Sequence, residues 1–181
     1  YEKAFEKKDI KVAQILLSHD DLGNRRRYLN AKHTIEALLE RNVIPIINEN
    51  DSVTVEEIKI GDNDTLSATV ACLVDAQLLI ILSDVEGLFN RDPSIKIKGE
   101  KAELLSHVAR VNEEIERTAG KSNNRLTVGG MYTKVIAAKK TMSFGIPTLV
   151  VNGLDEKVLE HVFSGKDVGT LFWSGKGKIR D

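Results

Sequence analysis

Leu78-Leu79-Ile80-Ile81-Leu82 is an unbroken apolar run that ends in Ser83-Asp84, and it follows Thr65 to Ala76, where Leu66, Val70, Leu73 and Val74 share one side of a helix. A run apolar on both faces suits a strand covered above and below, not a sheet edge, and a helix leading into it is the unit of a parallel sheet. Asp64 or Asn63 is placed to cap that helix. Upstream, Asn30 to Glu40 has helical spacing (Leu29, Ile35, Leu38, Leu39) and runs into Val43-Ile44-Pro45-Ile46-Ile47, a second short buried strand. Between the two units, Val55 to Ile60 alternates apolar and charged residues, which predicts a strand with one wet face. Downstream, Ala102 to Ala119 is helical in pattern, with breaks that the pattern does not fix. Gly129-Gly130 opens a helix over Met131 to Phe144 with Val135, Ile136, Ala138 and Met142 inward, and Gly145-Ile146-Pro147 stops it. Thr148 to Val151 is a third buried strand, Glu156 to Phe163 a helix and Thr170 to Trp173 a last strand. The alternation predicts an α/β fold with a largely parallel sheet, whose ligands bind beyond the carboxyl ends of the strands.

With 181 residues, three prolines and no repeat or low-complexity tract, one domain is expected. The 26 basic side chains against 27 acidic ones leave a net charge of -1, so no general field draws nucleic acid or an anionic membrane, and any anion must be held locally. A single cysteine, Cys72, excludes a disulfide framework and a cysteine-rich zinc site and fits a reducing compartment, the cytoplasm by default. No apolar run approaches the roughly 20 residues of a bilayer span, and the charged start at Tyr1 to Lys8 does not suit a signal peptide. The first residue is tyrosine, not methionine, so the sequence is expected to be a fragment.

The common phosphate signatures fail. Gly120-Lys121-Ser122 lacks the upstream glycine of a P-loop, and there is no G-x-G-x-x-G. His19, His33, His107 and His161 lack metal-ligand spacing, and Arg25-Arg26-Arg27 reads as a solvated face or a set of salt bridges. What remains is two polar loops and one glycine-rich helix start. Asn48-Glu49-Asn50-Asp51 and Gly61-Asp62-Asn63-Asp64 crowd carboxylates and amides together, suited to a small zwitterion: carboxylates for an ammonium, amides and helix N–H groups for a carboxylate. Gly129-Gly130-Met131-Tyr132-Thr133-Lys134 puts close-approaching backbone N–H groups and one lysine at a helix start, an anion site suited to phosphate.

Four runs, Asn42 to Val53 (NVIPIINENDSV), Glu57 to Ala68 (EIKIGDNDTLSA), Leu79 to Phe89 (LIILSDVEGLF) and Gly129 to Lys134 (GGMYTK), resemble the glutamate 5-kinases of the amino-acid kinase family. Ala13 to Leu17, Arg27 to Ala31 and Val168-Gly169-Thr170-Leu171-Phe172 resemble them too. The resemblance implies a three-layer α/β/α sandwich over residues 1–174, with 175–181 beginning a linker. It implies transfer of the γ-phosphoryl group of ATP, with Mg²⁺, to the side-chain carboxylate of L-glutamate, the first step of proline biosynthesis. By position it makes Lys134 and Asp64 catalytic and Asp51, Asn63 and Asn48 substrate-binding. Ser83, Asp84, Val128, Gly129, Gly130, Met131, Tyr132, Thr133 and Lys134 become nucleotide-binding, with no resident metal ligand. It further implies a homodimer or homotetramer, inhibition by proline, and no membrane or nucleic-acid partner for this region.

The chain departs from the family in two places. Thr127-Val128 stands where the family has Gly-Thr, and the family's first strand, with its lysine and Gly-Ser turn, has no counterpart, so the N-terminal part of the domain is expected to be missing. Two other readings fit the same residues: an amino-acid kinase with a different acid substrate, and an inactive module that binds glutamate, proline or nucleotide.

Overall fold

The structure, a computed structural model, describes residues 1–50, 62–93, 101–120 and 130–175. The predicted strand at Val55 to Ile60 and the turn at Lys121-Ser122 lie outside the described residues.

The chain opens with a short helix α1 (Glu2–Glu6), strand β1 (Lys11–Leu17) and the one-turn helix α2 (His19–Gly23). Helix α3 (Arg25–Glu40) and strand β2 (Val43–Glu49) follow, and β1 and β2 pair in parallel with Lys11 opposite Val43 and Leu17 opposite Glu49. β1 was not foreseen: Lys11 and Gln14 interrupt its apolar pattern, and its pairing with β2 supplies the order that its own sequence does not. Helix α3 starts five residues before the predicted Asn30, because the Asn24 side chain accepts hydrogen bonds from the Arg26 and Arg27 backbone N–H groups. The arginine run is therefore a helix start, exposed and facing Asp20 and Asp21 at 3.8 Å from Arg27, as a solvated face should be.

Just before α2, Ser18 and Asp21 form a reciprocal capping box: the Asp21 carboxylate accepts from the Ser18 hydroxyl at 2.6 Å and from the Ser18 backbone N–H at 2.8 Å. The hydroxyl bond first, then the backbone bond, hold the Asp21 carboxyl below the usual carboxylate range, with a smaller pull from Arg27. A carboxyl depressed in the folded state stabilises fully above its unfolded value, about 3.9, and loses that contribution as pH falls through the folded value. Asp21→Asn should therefore cost about 1 kcal/mol at neutral pH, as lost caps do. Thermal unfolding should show the gap between variant and parent closing as the pH drops below about 4.

The second half builds helix α4 (Asn63–Leu73), strand β3 (Leu79–Ser83), the two-residue strand β4 (His107–Val108) and helix α5 (Glu113–Thr118). Helix α6 (Met131–Ser143), strand β5 (Thr148–Asn152), helix α7 (Val158–Phe163) and strand β6 (Thr170–Phe172) complete it. These strands form one sheet in the order β3-β5-β6-β4, with β3 parallel to β5, β4 parallel to β6, and β5 antiparallel to β6. The largely parallel character holds, but the described strands fall into two sheets.

Alternate residues of the larger sheet feed two cores. Ile81, Val150 and Phe172 join Ala68 of α4 and Val135, Ala137 and Ala138 of α6 on one face, while Leu149 and Val151 meet Val158 of α7 on the other. Burial on both faces explains the unbroken apolar runs, each large side chain contributing roughly 1.5–3 kcal/mol. No helix among the described residues is long and apolar enough to cross a membrane.

Three expectations are corrected. Residues 102–119 are not one helix: only α5 is helical, because Asn112 caps it by accepting from the Ile115 backbone N–H, and the β-branched Val108 upstream pairs with Phe172 instead. Helix α4 is capped by Asp62, not Asn63 or Asp64; the Asp62 carboxylate accepts the Thr65 N–H at 2.7 Å. Finally, among the described residues β3 pairs on one side only and Leu82 is 53% exposed, so the burial of both faces expected from its sequence is not seen there.

Candidate active site

Helix α6 begins at Gly130, an extended N-cap residue with no side-chain cap bond, so its first-turn N–H groups carry no side-chain partner from the cap residue itself. Beside it, β3 ends at Ser83, whose hydroxyl donates to the Asp84 carboxylate at 3.2 Å. Gly153, just past β5, passes so close to β3 that a Cβ there would lie 2.9 Å from that of Leu82, and its N–H donates to the Ser83 carbonyl at 2.7 Å. Strand ends and helix start together enclose a cavity of about 710 Å³. Ser83, Asp84, Gly130, Met131 and Lys134 line it, with the turn Gly87 to Pro93 and the end of α5 as further walls. The size suits a nucleotide, which fills pockets of roughly 300–1,000 Å³.

With Asp62 serving as cap, Asp64 turns across to α6. Its Oδ2 accepts from Lys134 Nζ at 3.1 Å and lies 2.7 Å from Thr133 Oγ1, whose single proton is shared between that carboxylate and the Gly130 carbonyl, also at 2.7 Å. Both charged side chains are nearly buried, 10% exposed for Lys134 and 13% for Asp64, so their field is poorly screened. A lysine at an uncapped helix N-terminus opposes the dipole, and the Asp64 carboxylate offsets it. Lys140, farther along α6, donates to Thr69 of α4 at 2.7 Å, which fixes the two helices at a second point.

A second cavity, of about 590 Å³, lies between the end of β2 and the start of α4, lined by Gln14, Ile46, Ile47, Asn48 and Asn63. The structure thus places Asn48 and Asn63 at one cavity and the Ser83-Asp84 and Gly130-Met131 pairs at another. Asp64, next to Asn63 in sequence and bonded to Lys134, bridges the two. Tyr132 packs against the core instead of lining either space. Asp51, Val128 and Gly129 lie outside the described residues, as does the Thr127-Val128 departure.

Some lining residues had no sequence signal. Arg91 and Arg117 bring positive charge to the larger cavity, yet each sits in a stretch with no motif. Thr133 as a partner of Asp64 needs the helix pairing to be seen. Three of the histidines sit as packing or surface groups: His33 is exposed, His107 Nε2 lies 2.9 Å from the Trp173 carbonyl and His161 Nδ1 lies 3.2 Å from Asp155.

The sequence pattern of the amino acid kinase family matches residues 1–152. The chain belongs to the amino acid kinase family. Among curated relatives it is 50% identical over 179 residues, 99% of this chain, to glutamate 5-kinase of Geobacter sulfurreducens. It is 51% identical over 172 residues to the Geobacter metallireducens enzyme and 49% over 176 to that of Meiothermus ruber. The match takes in 47%, 45% and 46% of those proteins respectively, so this amino acid kinase chain spans about half the length of the curated relatives it matches. Two solved structures share the fold. UMP kinase from Bacillus anthracis superposes with a TM-score of 0.58 at 16% identity, over 94% of this chain and 61% of that one. T. acidophilum isopentenyl phosphate kinase gives 0.59 at 15%, over 94% and 63%.

Proposed function

We propose that the complete protein is a glutamate 5-kinase, which transfers the γ-phosphoryl group of ATP to the side-chain carboxylate of L-glutamate. The observation that carries the reading is the Asp64–Lys134 pair, buried between a nucleotide-sized cavity and a polar one, in a chain half identical to enzymes of that name. Both reactants are anions, and the acceptor carboxylate is already a nucleophile at neutral pH. No general base is needed; the work is alignment and charge neutralisation.

On this reading ATP occupies the larger cavity with its phosphates toward the α6 N-terminus, where backbone N–H groups and Lys134 meet the charge developing on the γ-phosphoryl oxygens. One carboxylate oxygen of glutamate forms the new bond to phosphorus as the bond to the ADP oxygen breaks, and no proton moves. Asp64 holds Lys134 and Thr133 in place. Asn48 and Asn63 offer amides to the glutamate carboxylates, and Asp51 offers a charge to its ammonium. Mg²⁺ at such sites is carried on substrate phosphates with only one or two protein carboxylates. Asp84 would hold it, and it would supply further neutralisation of the phosphoryl charge.

Two apolar strands, β2 and β3, pair on one side only within the described sheets, and α4 packs on both. This supports a further strand of the complete protein between them, joining the sheets into one central layer and bringing more of the nucleotide site with it. Residues 1–174 then belong to one kinase domain. A homodimer or homotetramer, feedback inhibition by proline and a cytoplasmic location belong to the same proposal and rest on the family likeness.

An acceptor panel tests the reading. ADP release by the complete protein should be strong with glutamate and near background with aspartate, carbamate and acetylglutamate. Equal or greater turnover with another of these acids would assign a different amino acid kinase activity.

A further inference from the structure

The run Val168 to Phe172 has no part in the chemistry above, yet its central side chain reaches the wall of the larger cavity. Thr170, on β6, is fully buried, and its Oγ1 accepts the backbone N–H of Leu88 at 2.8 Å across 82 residues of sequence. Leu88 is itself 1% exposed, so that N–H has no water to turn to. The neighbouring Gly87 sits at φ +153°, and a Cβ there would lie 2.6 Å from the same Thr170 oxygen. Its buried backbone therefore rests directly on the hydroxyl. On the far side, the Leu88 carbonyl accepts from Leu105 and the Asn90 N–H donates to Glu103, tying the turn to a second segment. Gly169, at φ +74°, has no room for a side chain against the Val150 carbonyl, which sets β6 at the depth where Thr170 meets the turn.

The turn held this way, Gly87 to Pro93, forms one wall of the cavity and is separated from Asp84 by two residues, Val85 and Glu86. We propose that Thr170 is a positioning residue for nucleotide binding: its hydroxyl latches the turn at Leu88, and with it Asp84, at the distance from Lys134 that a nucleotide requires. The inference rests on the nucleotide reading of that cavity.

The test uses the complete protein with Thr170→Val, which keeps the shape and removes the acceptor, and Thr170→Ser, which keeps the acceptor. Thr170→Val should raise the KM for ATP about tenfold, the scale of one buried hydrogen bond, with kcat and the KM for glutamate changed less than about twofold. Thr170→Ser should return the KM for ATP to near the parent value. Amide hydrogen exchange should quicken by about tenfold at Leu88 and its neighbours in Thr170→Val, with β5 unchanged. An unchanged KM for ATP, whether or not exchange or melting temperature shifts, reduces Thr170 to a structural role and overturns the proposal. If Thr170→Val does not fold, Thr170→Ala gives the same split, and the same unchanged KM overturns it. A parent protein that neither binds nor consumes ATP defeats the nucleotide reading itself, and the exchange result then stands apart as a measure of the latch.

Discussion

Lys134→Ala in the complete protein is expected to lower kcat by about 10²–10³, the scale seen when one preorganised charge donor to a transition state is removed. The KM for glutamate should change less than about threefold, because the lysine lines the larger cavity and Asn48 and Asn63 lie at the other one. The size follows from burial: at 10% exposure the ammonium acts through a medium far less polarisable than water, and no solvent cation replaces it. Removing it also leaves the Asp64 carboxylate with one hydrogen bond fewer, so the melting temperature should be recorded alongside. A loss confined to KM, with kcat intact, would remove Lys134 from the chemistry.

The second large effect belongs to its partner. Asp64→Ala should destabilise the kinase domain by about 3–5 kcal/mol, the cost of breaking a buried pair by deleting one member, since the Lys134 ammonium then loses a carboxylate at 3.1 Å. It should also lower kcat nearly as far as Lys134→Ala does, and the two losses should not add, because the residues act as one unit. Asp64→Asn separates the parts: the amide oxygen still accepts from Thr133, so stability should recover by more than half while activity stays low. Thermal unfolding and steady-state kinetics on the three variants and on the Asp64→Ala/Lys134→Ala double variant decide it, and additive losses in the double variant would contradict the coupling.

How much of this was readable in the sequence depended on whether the signal was local. β2, β3 and β5 were legible as unbroken apolar runs, though only β5 is buried on both faces among the described residues. α4 and α6 were legible because their inward faces repeat at helical spacing. β1 was not, since its order comes from pairing with β2. Residues 102–119 were read too simply because apolar spacing cannot distinguish a short helix beyond Asn112 from a longer one. The cap of α4 moved by one or two residues, and that small shift matters chemically: with Asp62 holding Thr65, Asp64 is released to reach α6.

At the site, Asn48, Asn63 and Gly130 of the two polar loops and the glycine-rich helix start line the two cavities. Their geometry did not follow from spacing. Asp64 and Lys134 stand 70 residues apart, and only the packing of α4 on α6 brings them to 3.1 Å. The same holds for Thr170 and Leu88, joined by two neighbouring strands and a turn. The apolar character of β3 gave one further signal that outlived its apparent failure. Its place at the end of its sheet contradicts its composition, and the contradiction is resolved if another strand of the complete protein lies beside it.

The most direct test of the central claim is product trapping. The complete protein is incubated with ATP, Mg²⁺, L-glutamate and hydroxylamine, and the acyl phosphate is captured as γ-glutamyl hydroxamate. Hydroxamate should form in step with ADP and nearly disappear in Lys134→Ala. Tight ATP binding with no hydroxamate from the unaltered protein would contradict it and leave a binding module in place of a kinase.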